Sequence, residues 1–285
     1  MIQNTRVTLE MIKWEHSIFA LPFALTGAVL AAGGWPPLRT LGLIVLCMIS
    51  ARTAAMAFNR LVDAELDATN PRTKMRALPA KQLQSGFVAG FVLISAAIFV
   101  VCAALLNRFC LMLSPVALLV LLGYSFAKRF TRWSHLILGL ALGIAPTGAW
   151  IAVRGTLDPR ILMLTLAVLL WVAGFDVLYA CQDFEHDCKA GLYSVPAKFG
   201  IRAAFWIARG LHGLTLIALV LVAVLFGLGP IALAGVAVTG ALLLYEHLIV
   251  SPGDLRRMNA AFFTLNGIIS VLFFVFVTAD VMRRR

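Results

Sequence analysis

Nine apolar windows, a sparse set of charges and a sorting of basic residues by loop predict an all-α, polytopic membrane protein. Of the 285 residues, 61% are hydrophobic and 13% charged, whereas a soluble domain carries about a quarter charged residues. Mean hydropathy is +0.94. Windows close to the length that spans a bilayer recur at 16–34, 38–58, 86–106, 110–127, 135–153, 161–180, 206–226, 229–250 and 259–279. Hydrocarbon offers the backbone no water partners, so each window must satisfy its own amides as a helix. The connections are short, and the chain reads as one transmembrane domain over 1–285 with about nine transmembrane helices.

The first window, 16–34, is followed by eight more and lacks a cleavage pattern after a short apolar core, so it reads as a span rather than a removable signal. With the N-terminus in the cytoplasm, the inward connections are 1–15, 59–85, 128–134, 181–205 and 251–258, and they hold 15 Lys and Arg. The outward connections (35–40, 107–109, 154–160, 227–228 and 280–285) hold 7. Positive residues in short loops stay inside, which predicts N-in, C-out in the cytoplasmic (inner) membrane. Trp14, Trp35, Trp133, Trp150 and Trp206 fall near window ends, as an aromatic belt requires. The net charge of +11 is therefore spread over loops rather than gathered on a soluble face, which argues against a nucleic-acid partner. Cys47, Cys102, Cys110, Cys181 and Cys188 show no CxxC spacing and read as small apolar residues.

Two inward connections break the pattern of short loops. One reads NRLVDAELDATNPRTKMRALP from Asn59, and the other reads DVLYACQDFEHDCKAGLYSVPAKFG from Asp176. Asn59, Asp63 and Asp67 are four apart, so a continuing helix aligns them on one face. Asp176, Tyr179, Asp183 and Asp187 follow an i, i+3, i+7, i+11 rhythm and also share a face. Glu65 and Glu185 fall off both faces and read as solvated charges. Oxygen ligands at two facing helix ends suit Mg²⁺, which takes one or two carboxylates together with substrate phosphate and water. Arg72, Lys74, Arg76, Lys128, Arg129 and Lys189 are cations placed to hold the rest of a diphosphate. Asp176 follows the apolar run LTLAVLLWVAGF, still inside the bilayer depth, where an acid costs up to about 3 kcal/mol and is functional by default. A third cluster, YSFAKRFTRWSH from Tyr124, ends the fourth window on the same side. Arg52, Asn259 and Asn266 lie within or beside spans, where a helix–helix hydrogen bond accounts for any one of them. Asn259 and Asn266 share a face that a cavity would use. Glu246–His247 reads as an interfacial pair.

These three segments resemble the UbiA superfamily of membrane prenyltransferases. NRLVDAELDATNPRTKMRALP looks like that family's first Asp-rich motif, DVLYACQDFEHD like its second, and YSFAKRFT like the Tyr-x-x-x-Lys-Arg segment between them. The likeness covers almost the whole chain. It implies a helix bundle around a central cavity, capped by the two acidic loops and open sideways to membrane lipid. It matches Asn59, Asp63 and Asp67 to a first magnesium-binding set, and Asp183 and Asp187 to a second. Lys128 and Arg129 match basic residues that meet the diphosphate or an acceptor carboxylate, while Asp176, Tyr179 and Tyr124 line the cavity. Position 60 departs from the pattern, with Arg where many members carry a second Asp. The start IKWEHSIFALPF also departs from the Arg-rich start of 4-hydroxybenzoate enzymes and looks closer to members of other quinone routes.

The implied reaction joins a polyprenyl diphosphate to a small aromatic acid, with Mg²⁺ and cations drawing off the diphosphate. An apolar cavity shields the allylic cation from water, the ring attacks, and Asp176 or Asp183 removes the proton. The expected acceptor is 4-hydroxybenzoate, with Arg129 facing its carboxylate. A dihydroxynaphthoate of menaquinone synthesis is the alternative. A cation-coupled transporter is the rival from another class. It would keep its acids near the bilayer midplane at interrupted helices, whereas here they gather at one membrane face.

Overall fold

The computed structural model describes residues 7–8, 10–11, 20–255, 258 and 261–284. Twelve α-helices carry the chain through the described residues. They are α1 (Leu21–Ala32), α2 (Leu38–Val62), α3 (Ala64–Thr69), α4 (Ser85–Leu106), α5 (Arg108–Gly123), α6 (Ser134–Arg154), α7 (Ile161–Ala180), α8 (Phe184–Ala190), α9 (Val195–Phe199), α10 (Ile201–Leu225), α11 (Pro230–Ile249) and α12 (Asn266–Arg283). A 3₁₀ turn, Tyr124–Arg129, extends α5, and another, Cys181–Asp183, joins α7 to α8. No strand occurs among the described residues. Eight helices are long and apolar enough to cross a membrane, and α1 is a shorter apolar helix. The first predicted window, 16–34, thus matches α1 at its C-terminal end, while residues 16–19, Trp14 and Asn259 lie outside the described residues. This is a multi-pass membrane protein.

Local chemistry sets the helix ends. Pro22 opens α1, where its missing amide costs nothing, and Gly33 closes it in the left-handed conformation at φ 61°. Asn107 caps α5 by accepting from the Cys110 amide, and its own amide group donates to the Ile151 carbonyl of α6 at 2.8 Å. The first amides of α11 find a cap on a different helix. Gly229 N–H and Ala232 N–H donate to the Asp280 carboxylate of α12 at 2.7 and 3.4 Å, and Arg284 pairs with the same carboxylate at 3.0 Å.

Neighbours in sequence pack as neighbours in space: α2 on α4, α4 on α5, α5 on α6, α6 on α7, α7 on α10, α10 on α11, and α11 on α12. Helix α12 then packs on α1, closing a ring. One half of that ring is solid. Phe23, Trp171, Phe273, Leu219 and Val222 form its centre, with the Phe23 ring tilted between Trp171 and Phe273 at ring distances of 5.0 and 5.5 Å. The other half, α2 to α7, is hollow. Large apolar side chains such as Leu93, Leu119 and Val224 point outward from α4, α5 and α10, an arrangement that lipid tolerates and water does not.

Three expectations are corrected here. Trp150 is not a belt residue, because it is buried in α6 against Phe226 at 5.6 Å. Glu246 and His247 are not interfacial. Glu246 is 1% exposed and accepts from Asn266 at 3.2 Å, and His247 meets His212 at 3.0 Å. Asn266 therefore lies in the α11–α12 seam and is not among the residues lining the cavity.

Candidate active site

The hollow half encloses a cavity of about 460 Å³, within the range of small-molecule sites. Its inner part is apolar, walled by Ile44, Phe99, Leu106 and Leu113. At its mouth stand the polar ends of α2, α5 and α7. Helix α2 stops at Val62, yet Asp63 N–H still donates to Asn59 O at 2.9 Å, and Asp67 N–H to Asp63 O at 2.7 Å. The helical register thus carries through the break into α3, and Asn59, Asp63 and Asp67 all line the cavity. Likewise α7 continues through one 3₁₀ turn into α8, so that Asp176, Tyr179, Asp183 and Asp187 line the opposite wall. Glu65 and Glu185 are exposed.

Most of these acids already have basic partners. Asp63 accepts from Asn59 Nδ2 at 3.0 Å and from Lys128 Nζ at 2.7 Å, and Arg129 Nη2 approaches it at 3.4 Å. Arg76 Nη1 bridges both oxygens of Asp67 at 2.7 and 2.8 Å. Arg72 clamps Asp183 through Nε at 2.8 Å and through Nη2, while its Nη1 donates to the Tyr179 hydroxyl at 2.9 Å. Asn70 adds a bond to Asp183 Oδ1 at 2.9 Å. Burial works against the Arg72 charge, but the hydrogen bonds and charges of Asp183 and Tyr179 outweigh it and hold the guanidinium pKa above the ordinary arginine value. The two acidic segments are therefore stitched directly to each other, Arg72 and Asn70 from one meeting Asp183 and Tyr179 from the other.

Of the cations named from sequence, Arg72, Arg76 and Lys128 line the cavity. Arg129 does not: its Nη2 donates to the Val62 carbonyl at 2.5 Å, closing the C-terminus of α2 from outside. Lys74 and Lys189 are exposed and stand away from the lining. Tyr124 lines the cavity.

Two residues carry more than the sequence disclosed. Arg52 lines the cavity on α2, seven residues before Asn59 and so about 10 Å deeper. Its Nε is buried without a hydrogen-bond partner among the described residues. His135, in the first turn of α6, bonds Asp176 Oδ2 through Nδ1 at 2.7 Å. An arginine in an apolar run signals a cavity or a partner, so Arg52 was findable. The partner of His135 was not, since it lies 41 residues away.

The model of the UbiA prenyltransferase family matches residues 20–268. The chain belongs to that family. This UbiA-family chain is 34% identical over 190 residues to the 4-hydroxybenzoate octaprenyltransferase of Vibrio cholerae, a match spanning 65% of this chain and 65% of that relative's length. The enzyme of the same description from Pseudomonas aeruginosa is 34% identical over 76% of this chain and 73% of its own. That of Photobacterium profundum is 27% identical over 93% and 92%. Among solved structures, the apo UbiA homolog from Aeropyrum pernix K1 superposes with a TM-score of 0.82 at 29% identity, covering 95% of this chain and 98% of that one. A UbiA homolog from Archaeoglobus fulgidus, bound to DMAPP and Mg²⁺, shares the fold at a TM-score of 0.72 and 21% identity over 96% and 99%.

Proposed function

We propose that this protein transfers a polyprenyl group from its diphosphate to an aromatic acid, 4-hydroxybenzoate first, in quinone synthesis at the cytoplasmic face of the inner membrane. The observation that carries the reading is the mouth of the cavity, where two facing rows of carboxylates are each paired with a cation, above an apolar chamber into which Arg52 projects with its Nε buried and unpartnered among the described residues. The relatives described as 4-hydroxybenzoate octaprenyltransferases support the choice of donor and acceptor.

The donors fit Mg²⁺ in kind. Asn59, Asp63, Asp67, Asp183 and Asp187 offer hard oxygens, the ligands this ion prefers. Among the described residues no three acids already converge on a point, because Lys128, Arg76 and Arg72 stand between them. Those same cations suit phosphate oxygens, so each ion pair can open by giving its cation to the diphosphate and its carboxylate to the metal. When bound, Mg²⁺ would supply charge neutralisation for the leaving diphosphate.

The chain's own residues account for the rest. Lys128, Arg72 and Arg76 hold the diphosphate as the C1–O bond breaks and the electron pair leaves with oxygen. The apolar wall keeps water from the allylic cation. Arg52 holds the acceptor's carboxylate, a role its depth and open Nε suit better than the outward Arg129. A ring carbon beside the hydroxyl forms the new C–C bond, and the ring proton passes to Asp176. Both Asp183 oxygens are engaged by Arg72, whereas Asp176 Oδ1 has no partner among the described residues, which favours Asp176 as base.

Purified protein given a polyprenyl diphosphate, Mg²⁺ and 4-hydroxybenzoate should yield the prenylated acid by mass spectrometry, and EDTA should stop it. Arg52→Ala should raise KM for the acid about tenfold to a hundredfold, the worth of one charge-assisted contact, and leave KM for the diphosphate near wild type. The second acceptor is a dihydroxynaphthoate of menaquinone synthesis, favoured by Arg60, a further buried cation on the cavity wall. Prenylation of the naphthoate alone would make it the substrate, and prenylation of neither would sink the proposal.

A further inference from the structure

His135 is 4% exposed and stands outside the cavity, yet both its ring nitrogens are engaged. Its Nε2 receives the Val195 backbone N–H at 3.2 Å. An N–H can only donate, so Nε2 carries a lone pair and the ring proton sits on Nδ1. The 2.7 Å contact is therefore Nδ1–H donating to Asp176 Oδ2. This arrangement fixes a histidine tautomer through one nitrogen and aims a carboxylate through the other.

The packing that allows it is specific. Helix α6 places His135, Gly139 and Gly143 on one face at four-residue intervals. A Cβ on Gly139 would stand 2.3 Å from the Leu169 carbonyl oxygen of α7, and one on Gly143 would stand 2.8 Å from that of Thr165. The two glycines bring α6 down onto the α7 backbone, so an imidazole in the first turn of α6 can span to Asp176 near the end of α7. Val195 opens α9, just beyond the return of the second acidic segment. That return is pinned by Leu192 N–H to Asp187 O at 2.9 Å and by Tyr193 N–H to Lys128 O at 2.8 Å.

We propose that His135 is a positioning residue: held in its Nδ1–H tautomer by the Val195 amide, it turns Asp176 so that the free oxygen meets the acceptor. The proposal rests on Asp176 being the base. The competing role is purely structural, with His135 fastening Val195 and nothing more.

Two near-isosteric substitutions separate the roles. In His135→Asn the amide nitrogen falls near the Nδ1 position, keeping the bond to Asp176 and losing the one from Val195. In His135→Gln the amide oxygen reaches toward the Nε2 position, keeping Val195 and losing Asp176. Turnover is measured in purified protein with a polyprenyl diphosphate, Mg²⁺ and 4-hydroxybenzoate. His135→Gln should lower kcat about a hundredfold, the scale of a misplaced catalytic group, with KM for the diphosphate within about twofold. His135→Asn should stay within about fivefold of wild-type kcat. The reverse order, equal losses in both, or no loss in either would overturn the proposal. A double-mutant cycle gives a second reading. If His135 acts through Asp176, adding His135→Gln to Asp176→Asn should cost no further kcat, and a further tenfold loss would refute the coupling. Should Asp176→Asn alone retain wild-type turnover, the assignment of the base fails, whatever the histidine variants show.

Discussion

Asp63 is held from three directions, by Asn59 from its own helix and by Lys128 and Arg129 from the 3₁₀ turn after α5. Removing its charge leaves two cations facing each other near a low-dielectric cavity. Asp63→Asn should therefore lower turnover more than a hundredfold in protein that still inserts and folds. Glu65→Gln and Glu185→Gln, exposed on the far sides of the same turns, should stay within about twofold, as surface substitutions do. Comparing the three under limiting Mg²⁺ separates position from acidity. If Glu65→Gln fell as far as Asp63→Asn, the account of the helical face would fail. At this scale the sequence was legible wherever a role depended on spacing within one segment. Four-residue intervals put Asn59, Asp63 and Asp67 on the cavity wall. It was silent where a role depended on a distant partner. Arg129 shares a basic pair with Lys128, yet only Lys128 enters the cavity, because the 3₁₀ turn points successive residues apart. His135 offered no cue beyond its presence.

The elements were set largely by hydropathy, and eight windows return as helices of spanning length. Their ends were less visible, because helix ends depend on caps from elsewhere in the fold. Helix α11 is the clearest case, since Asp280 caps it from 48 residues away across the Ala232 contact. Asp280→Ala should lower unfolding free energy by about 1 kcal/mol or somewhat more, the worth of an N-cap, with Arg284 losing its partner as well. Thermal unfolding in detergent would register the change with turnover at permissive temperature preserved, and an unchanged midpoint would contradict it. The α6–α7 contact predicts the opposite balance. Gly139→Ala forces a methyl against the Leu169 carbonyl, and overpacking of this kind costs about 1–3 kcal/mol. Any relief by separating the helices also lengthens the His135–Asp176 bond. Turnover should fall further than stability explains, and a variant that loses stability alone would show that the two helices need not touch for catalysis.

For the whole molecule, the ends of α2, α5 and α7 must share one side, since they meet at one cavity mouth. Which side that is was read from the distribution of Lys and Arg. Cys188 allows a direct test, because it alone of the five cysteines is exposed, one residue past Asp187. A membrane-impermeant maleimide should label it in inside-out vesicles and spare it in intact cells, and labelling of intact cells would invert the topology. The closed ring has a further consequence, which comes from parity. Helices joined by short loops alternate direction, and the nine helices that form the ring among the described residues cannot alternate all the way around a circle. At least one seam must therefore pair helices that run the same way, and the seam of α12 against α1, where Phe23 meets Phe273, is such a pair. This seam joins the first and the last of these helices, so its contacts carry the largest loop-closure cost and can form only after the other helices have been made. Without α12 the bundle is an open crescent, and Phe23 lacks its Phe273 neighbour. Helix α12 acts as the keystone of an arch whose other stones are already set.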